Sequence, residues 1–200
     1  MKLTLFFDFS SNPESVQTVD NNGFLPLHWA VSVDQPNIET VRKLLALYPA
    51  GATAFTRAES TGSDSRRGGG LLPLHLCVDR ENPSLAIIRA LLDVCPEAAR
   101  TPSSGAQGAL PLHFCVNRER PHFETVALLV AHYPESVSSV NSSNQTPMHR
   151  WTRFIASLSR HAIILFIIMQ APRAAAATKR RSFRSGSKFP TRQGSVGPSS

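Results

Sequence analysis

Apolar and polar positions along this chain recur in blocks. Four short segments share one pattern: FLPLHWAV (24–31), LLPLHLCV (71–78), ALPLHFCV (109–116) and QTPMHRWT (145–152). Behind the first of them, NIETVRKLLALY (37–48) carries Ile38, Val41, Leu44, Leu45 and Tyr48 at i, i+3, i+6, i+7 and i+10. That spacing marks one buried face of an α-helix. The second copy places Leu85, Ile88, Leu91, Leu92 and Cys95 there, and the third Phe123, Val126, Leu128 or Leu129, Val130 and Tyr133. A proline heads each short segment, where the first helical turn leaves its N–H unpaired in any case. Asp34-Gln35-Pro36, Glu81-Asn82-Pro83 and Glu119-Arg120-Pro121 then break the chain. The pattern predicts a short helix (26–33) followed by a longer one (37–48), repeated downstream, each long helix ending at a proline.

The prolines give the period. Pro26, Pro73 and Pro111 are followed ten residues on by Pro36, Pro83 and Pro121, and 23 residues on by Pro49, Pro96 and Pro134. The return to the next unit varies, from 13 residues (Pro134 to Pro147) through 15 to 24, the longest holding TRAESTGSDSRRGGG. Constant helices with variable returns put that insertion in a surface loop. Gly23, Gly70 and Gly108 stand three residues before the leading prolines and suit a turn with positive φ. Units thus begin near residues 23, 70, 108 and 144. Residues 1–22 read as a partial unit, because NPESVQTV (12–19) resembles YPESVSSV (133–140). Residues 23–149 form the repeats proper, and 150–171 a degenerate terminal unit. There the register puts Ala162, Leu165, Phe166 and Met169 inside, and four isoleucines on the face that should meet solvent.

A short helix, a longer antiparallel helix and a glycine turn at this period resemble the ankyrin repeat, whose core motif is Thr-Pro-Leu-His-x-Ala. Pro26-Leu27-His28-Trp29-Ala30 carries the match, echoed by Pro73-Leu74-His75, Pro111-Leu112-His113 and Thr146-Pro147-x-His149. The resemblance spans about residues 12–149. Leu25, Leu72 and Leu110 replace the motif's threonine, and Tyr-Pro-Glu or Cys-Pro-Glu replaces the family's Gly-Ala ending. The resemblance implies an all-α, ankyrin-like helix-turn-helix solenoid that binds another protein. In such proteins the recurring histidine bonds turn backbone and ties adjacent units together. Partners meet the turn tips and the exposed side of the first helices. Carried over residue by residue, this nominates Phe24, Leu71, Ala109 and Gln145 on the tips. On the first helices it nominates Ser32 with Val33, Asp79 with Arg80, and Asn117 with Arg118.

Charge changes the picture only at the C-terminus. The net +7 arises because residues 1–171 hold fourteen basic and fourteen acidic side chains, whereas 172–200 hold seven basic and none acidic. That tail, rich in Ser, Gly, Pro and Arg, is expected to be disordered. Lys179, Arg180 and Arg181 read first as part of a solvated linker, and otherwise as a nuclear-import or phosphate-binding patch. Binding of nucleic acid or an anionic membrane through the tail is a third functional reading, marked by steep salt dependence. Ala162–Met169 holds eight apolar residues, well short of the roughly 20 that cross a bilayer. Three scattered cysteines, Cys77, Cys95 and Cys115, fit a reducing compartment and hence the cytoplasm.

Catalytic chemistry finds no foothold in the sequence. The histidines belong to separate units, and packed helices stand about 8–10 Å apart. Equivalent positions therefore do not converge on one metal ion, whose ligands lie within about 2.1 Å. Gly68-Gly69-Gly70 lacks the Gly-Lys-Ser/Thr of a phosphate cradle. The reading is a non-catalytic protein-interaction scaffold without metal, cofactor or small-molecule substrate. The alternative is a regulatory or targeting fragment of a longer multidomain protein, an enzyme or a membrane protein.

Overall fold

The computed structural model describes residues 13–21, 23–57, 69–105, 108–117 and 121–149. Residues 58–68 of the inserted loop, Arg118, the terminal unit 150–171 and the tail with Lys179, Arg180 and Arg181 lie outside the described residues. All regular structure among the described residues is helical. Three helix pairs follow one another: α1 (Pro26–Ser32) with α2 (Ile38–Leu47), α3 (Pro73–Val78) with α4 (Leu85–Val94), and α5 (Pro111–Val116) with α6 (Phe123–His132). The boundaries match the apolar periodicity to within a residue or so.

Each second proline does more than end a helix. It opens a 3-10 turn: Pro49–Thr53, Pro96–Ala99 and Pro134–Val137, with a counterpart at Pro13–Gln17 ahead of the first pair. Helix α2 starts on Asn37, whose side-chain oxygen accepts from the Glu39 N–H at 2.8 Å and the Thr40 N–H at 3.4 Å. The short helices have no such acceptor before them, since Leu25, Leu72 and Leu110 precede the prolines. The histidine three residues further on instead accepts the N–H of the capping leucine itself, the other half of a capping box.

The pairs pack in sequence. Helix α3 touches α1 and α5, while α4 touches α2 and α6, so the short helices form one layer and the long helices another. Between the layers runs a continuous apolar cluster from Val16 to Val137, including Leu27, Leu44, Leu74, Leu91, Leu112 and Leu129. Leu129, and not Leu128, is the buried leucine of the third copy. Ile87 and Thr125 are fully buried one residue before the expected inner position, and Phe123 is exposed. Contact with the preceding pair widens the buried face of α4 and α6 beyond a single helical stripe.

Turns join the pairs and stack on one another. Gly23, Gly70 and Gly108 all have positive φ, and Asn144 takes the same conformation at the fourth equivalent position. At Gly70 the requirement is also steric. A Cβ there would meet the Ser104 hydroxyl and lie 2.8 Å from the Gly105 nitrogen, and the Gly70 carbonyl accepts from the Ser104 N–H at 2.9 Å.

Candidate functional site

The repeated histidines are joints between units. His28, His75 and His113 are fully buried. In each, Nδ1 accepts the N–H of the leucine three residues before it, at 3.0, 3.1 and 3.1 Å. That contact places the proton on Nε2, which donates forward to the Ala54 carbonyl at 3.0 Å, the Ala109 carbonyl at 3.2 Å and the Gln145 carbonyl at 3.0 Å. Ala109 and Gln145 occupy equivalent places in the following turn, and Ala54 serves where that turn carries the insertion. Burial pushes His28 and His75 down from 6.5 to about 4, so both rings are neutral near pH 7. The fourth member, His149, accepts from the Thr146 N–H at 3.0 Å but is exposed, while Pro147 is buried. The leading prolines Pro26, Pro73 and Pro111 and the leucines Leu27, Leu74 and Leu112 are core residues.

The cysteines are equally interior. Cys77, Cys95 and Cys115 are free thiols and buried. Burial pushes Cys77 and Cys115 up to about 12, with the Asp79 carboxylate adding to the effect at Cys115. A thiol so disfavoured as thiolate is a small packing group.

Two of the expected tip residues are corrected. Leu71 and Ala109 are 4 % and 1 % exposed and belong to the interior. Their N–H groups are tied to the Thr56 and Ser103 hydroxyls, each at 3.0 Å, and the interior turns are held against their neighbours. The end positions remain accessible: Phe24 is half-buried and Gln145 exposed. Phe24 packs on the exposed Trp29 with ring centroids 5.1 Å apart, and its edge meets His28. The Asp20 carboxylate organises this end, accepting the Phe24 N–H at 2.8 Å and the Trp29 indole N–H at 3.1 Å.

The first-helix positions are brought together. Ser32 and Asp34 of the first pair and Leu76, Asp79, Arg80, Glu81 and Asn82 of the second line an open pocket of about 410 Å³. Arg80 bridges the pairs, donating to the Ser32 carbonyl at 2.5 Å and to the Asp34 carboxylate at 3.4 Å. Asp34, Asp79 and Glu81 line it together with Arg80, whose guanidinium is paired with Asp34. Val33, half-buried at the end of α1, is adjacent in sequence, and Asn117 is exposed at the corresponding place after α5.

Two series escaped the sequence reading. Asp20, Thr56, Ser103 and Asn141 clamp the turns, each accepting a backbone N–H across the turn through its side chain. The residues just before them, Val19, Phe55, Pro102 and Val140, are exposed and apolar, one per turn. Both series have a constant address: seven and six residues after Pro13, Pro49, Pro96 and Pro134. Short acceptors at a fixed distance from a recurring proline were the available signal.

No helix among the described residues is long and apolar enough to cross a membrane. No protein-family model matches the chain, and no curated protein matches it.

Proposed function

We propose that this chain is a non-catalytic protein-interaction module, built as an ankyrin-like solenoid, that holds a protein partner against two strips of its surface. One strip follows the ends of the short helices, with Ser32, Asp79 and Asn117 as its successive members. The other follows the turns, with Val19, Phe55, Pro102 and Val140. The observation that carries the reading is recurrence: α3 packs against both α1 and α5, and Ser32 and Asp79 line one pocket, which supports a surface to which each unit adds a similar rung. Exposed apolar residues with polar neighbours are the material of a protein interface. Three histidines, His28, His75 and His113, are engaged in joining the units, and the cysteines are packed in the interior. Cytoplasmic residence belongs to the proposal, since three free thiols suit a reducing compartment.

The test is comparative affinity purification of the full chain and two surface variants, Glu81→Lys/Asn82→Lys and Phe55→Asp/Val140→Asp. All four positions are exposed, so thermal unfolding should match the wild type. At least one variant should lose specific partners that the wild type retains. If both fold normally and retain an identical set, the surface assignment is wrong.

A further inference from the structure

The same polypeptide carries a segment complementary to the face shared by α1 and α3. On α1 Trp29 is 37 % exposed and packed on Phe24. One helical turn further along α1 stands Ser32, whose hydroxyl donates to the Trp29 carbonyl at 3.1 Å. Ser32 opens the pocket rimmed by Asp34, Asp79 and Glu81. Among the described residues its cation is Arg80, already held by the Ser32 carbonyl and Asp34. An apolar aromatic step beside a net-negative pocket calls for an occupant with aromatic and basic side chains close together. Residues 179–192, KRRSFRSGSKFPTR, have that composition: Phe183 lies between Arg181 and Arg184, and Phe189 follows Lys188. No acidic residue occurs in 172–200.

Reach is sufficient. Even with 150–171 packed as a further unit, Lys188 stands 17 positions beyond Ala171, a contour of up to about 55 Å. At about 10 Å per packed helix, the pocket lies roughly 20–30 Å from the last described pair.

We propose that residues 179–192 dock in cis on the face formed by α1 and α3. The basic side chains meet Asp34, Asp79 and Glu81, and the phenylalanines meet Trp29 and Phe24. This rests on the reading of that face as a binding surface and adds its regulation: an outside partner must displace the tail. A tethered segment acts at an effective concentration in the millimolar range, so weak contacts suffice.

The experiment is zero-length carbodiimide coupling of lysine to carboxylate in the full chain, at low salt, with mapping by mass spectrometry. An equimolar mixture of isotope-labelled and unlabelled protein separates links within a molecule from links between molecules. Lys179 or Lys188 should couple to Asp34, Asp79 or Glu81 within one molecule. The yield should be at least about tenfold above coupling to Glu39, Glu97, Glu124 or Glu135, and should fall about tenfold at high salt, as expected for screened charges. Even coupling across all exposed carboxylates overturns the proposal. So does pocket coupling found only between molecules, which would make a second copy the occupant. Because the readout needs no partner, a negative result leaves the partner-purification comparison intact, and the two readings fail separately.

Discussion

Mild acid should weaken this protein, and two buried histidines set how steeply stability falls with pH. Folding holds His28 and His75 neutral by burial, moving each from 6.5 to about 4. The unfolded chain therefore takes up protons at these rings as pH falls through 6.5, while the folded chain resists until about 4. The unfolded state then binds more protons, so stability is fully present above 6.5 and declines across that window. Each ring contributes a slope of about 1.4 kcal/mol per pH unit in mid-window. At about pH 5 each has removed about 2 kcal/mol, and the pair about 4 kcal/mol. That is a large fraction of the roughly 5–15 kcal/mol that stabilises an ordinary domain. Urea unfolding followed by far-UV circular dichroism at several values between about pH 7 and pH 5 measures it. Replacing His75 by Gln should roughly halve the pH slope, whatever it does to the stability near neutrality. A wild-type stability flat to within about 0.5 kcal/mol over this interval would refute the claim that burial keeps the two rings neutral.

Other outcomes follow from individual residues. Leu91→Ala, at a site 1 % exposed in the central pair, should lower urea-unfolding stability by about 2–5 kcal/mol; a loss under about 1 kcal/mol would place Leu91 outside the core. Gly70→Ala combines positive φ with a Cβ against the Ser104–Gly105 backbone and should lose more than about 1 kcal/mol. Its thermal unfolding midpoint should fall clearly below that of Ala54→Gly, a change at a half-buried site with ordinary backbone geometry. Arg80→Ala removes the donor to the Ser32 carbonyl and Asp34 and should cost about 1–3 kcal/mol by urea titration. Cys77 and Cys115, pushed up to about 12, should ignore an aromatic disulfide reagent in native buffer and react within the unfolding transition; fast native-state labelling would contradict their burial.

The helix pairs were legible because apolar periodicity and proline punctuation act locally. Val41, Leu44 and Leu45 occupy the interior the pattern assigned them. The glycine turns were legible for the same reason, since positive φ is a property of single residues. Contacts between units left a fainter trace. Leu71 and Phe24 hold equivalent positions, yet one is buried between stacked turns and the other lies at the end of the row. Ile87 and Thr125 are interior on helices that each pack against the preceding pair as well as their own. The turn clamps use four different residue types, Asp, Thr, Ser and Asn, so they share a hydrogen-bonding role without sharing a letter. The pocket joins Ser32 to Glu81, 49 residues apart, and only the packing of α1 against α3 brings them within reach.

The clamp at Thr56 makes that turn a natural grafting port. Its carbonyl accepts from Gly70, its N–H donates to the Leu71 carbonyl and its hydroxyl accepts from Leu71, so the two stems are fastened together regardless of what is strung between them. Doubling the intervening length raises the closure penalty by only about 0.6 kcal/mol. Guest peptides spliced in there should be displayed without disturbing the row of helices beneath, making the molecule a chassis.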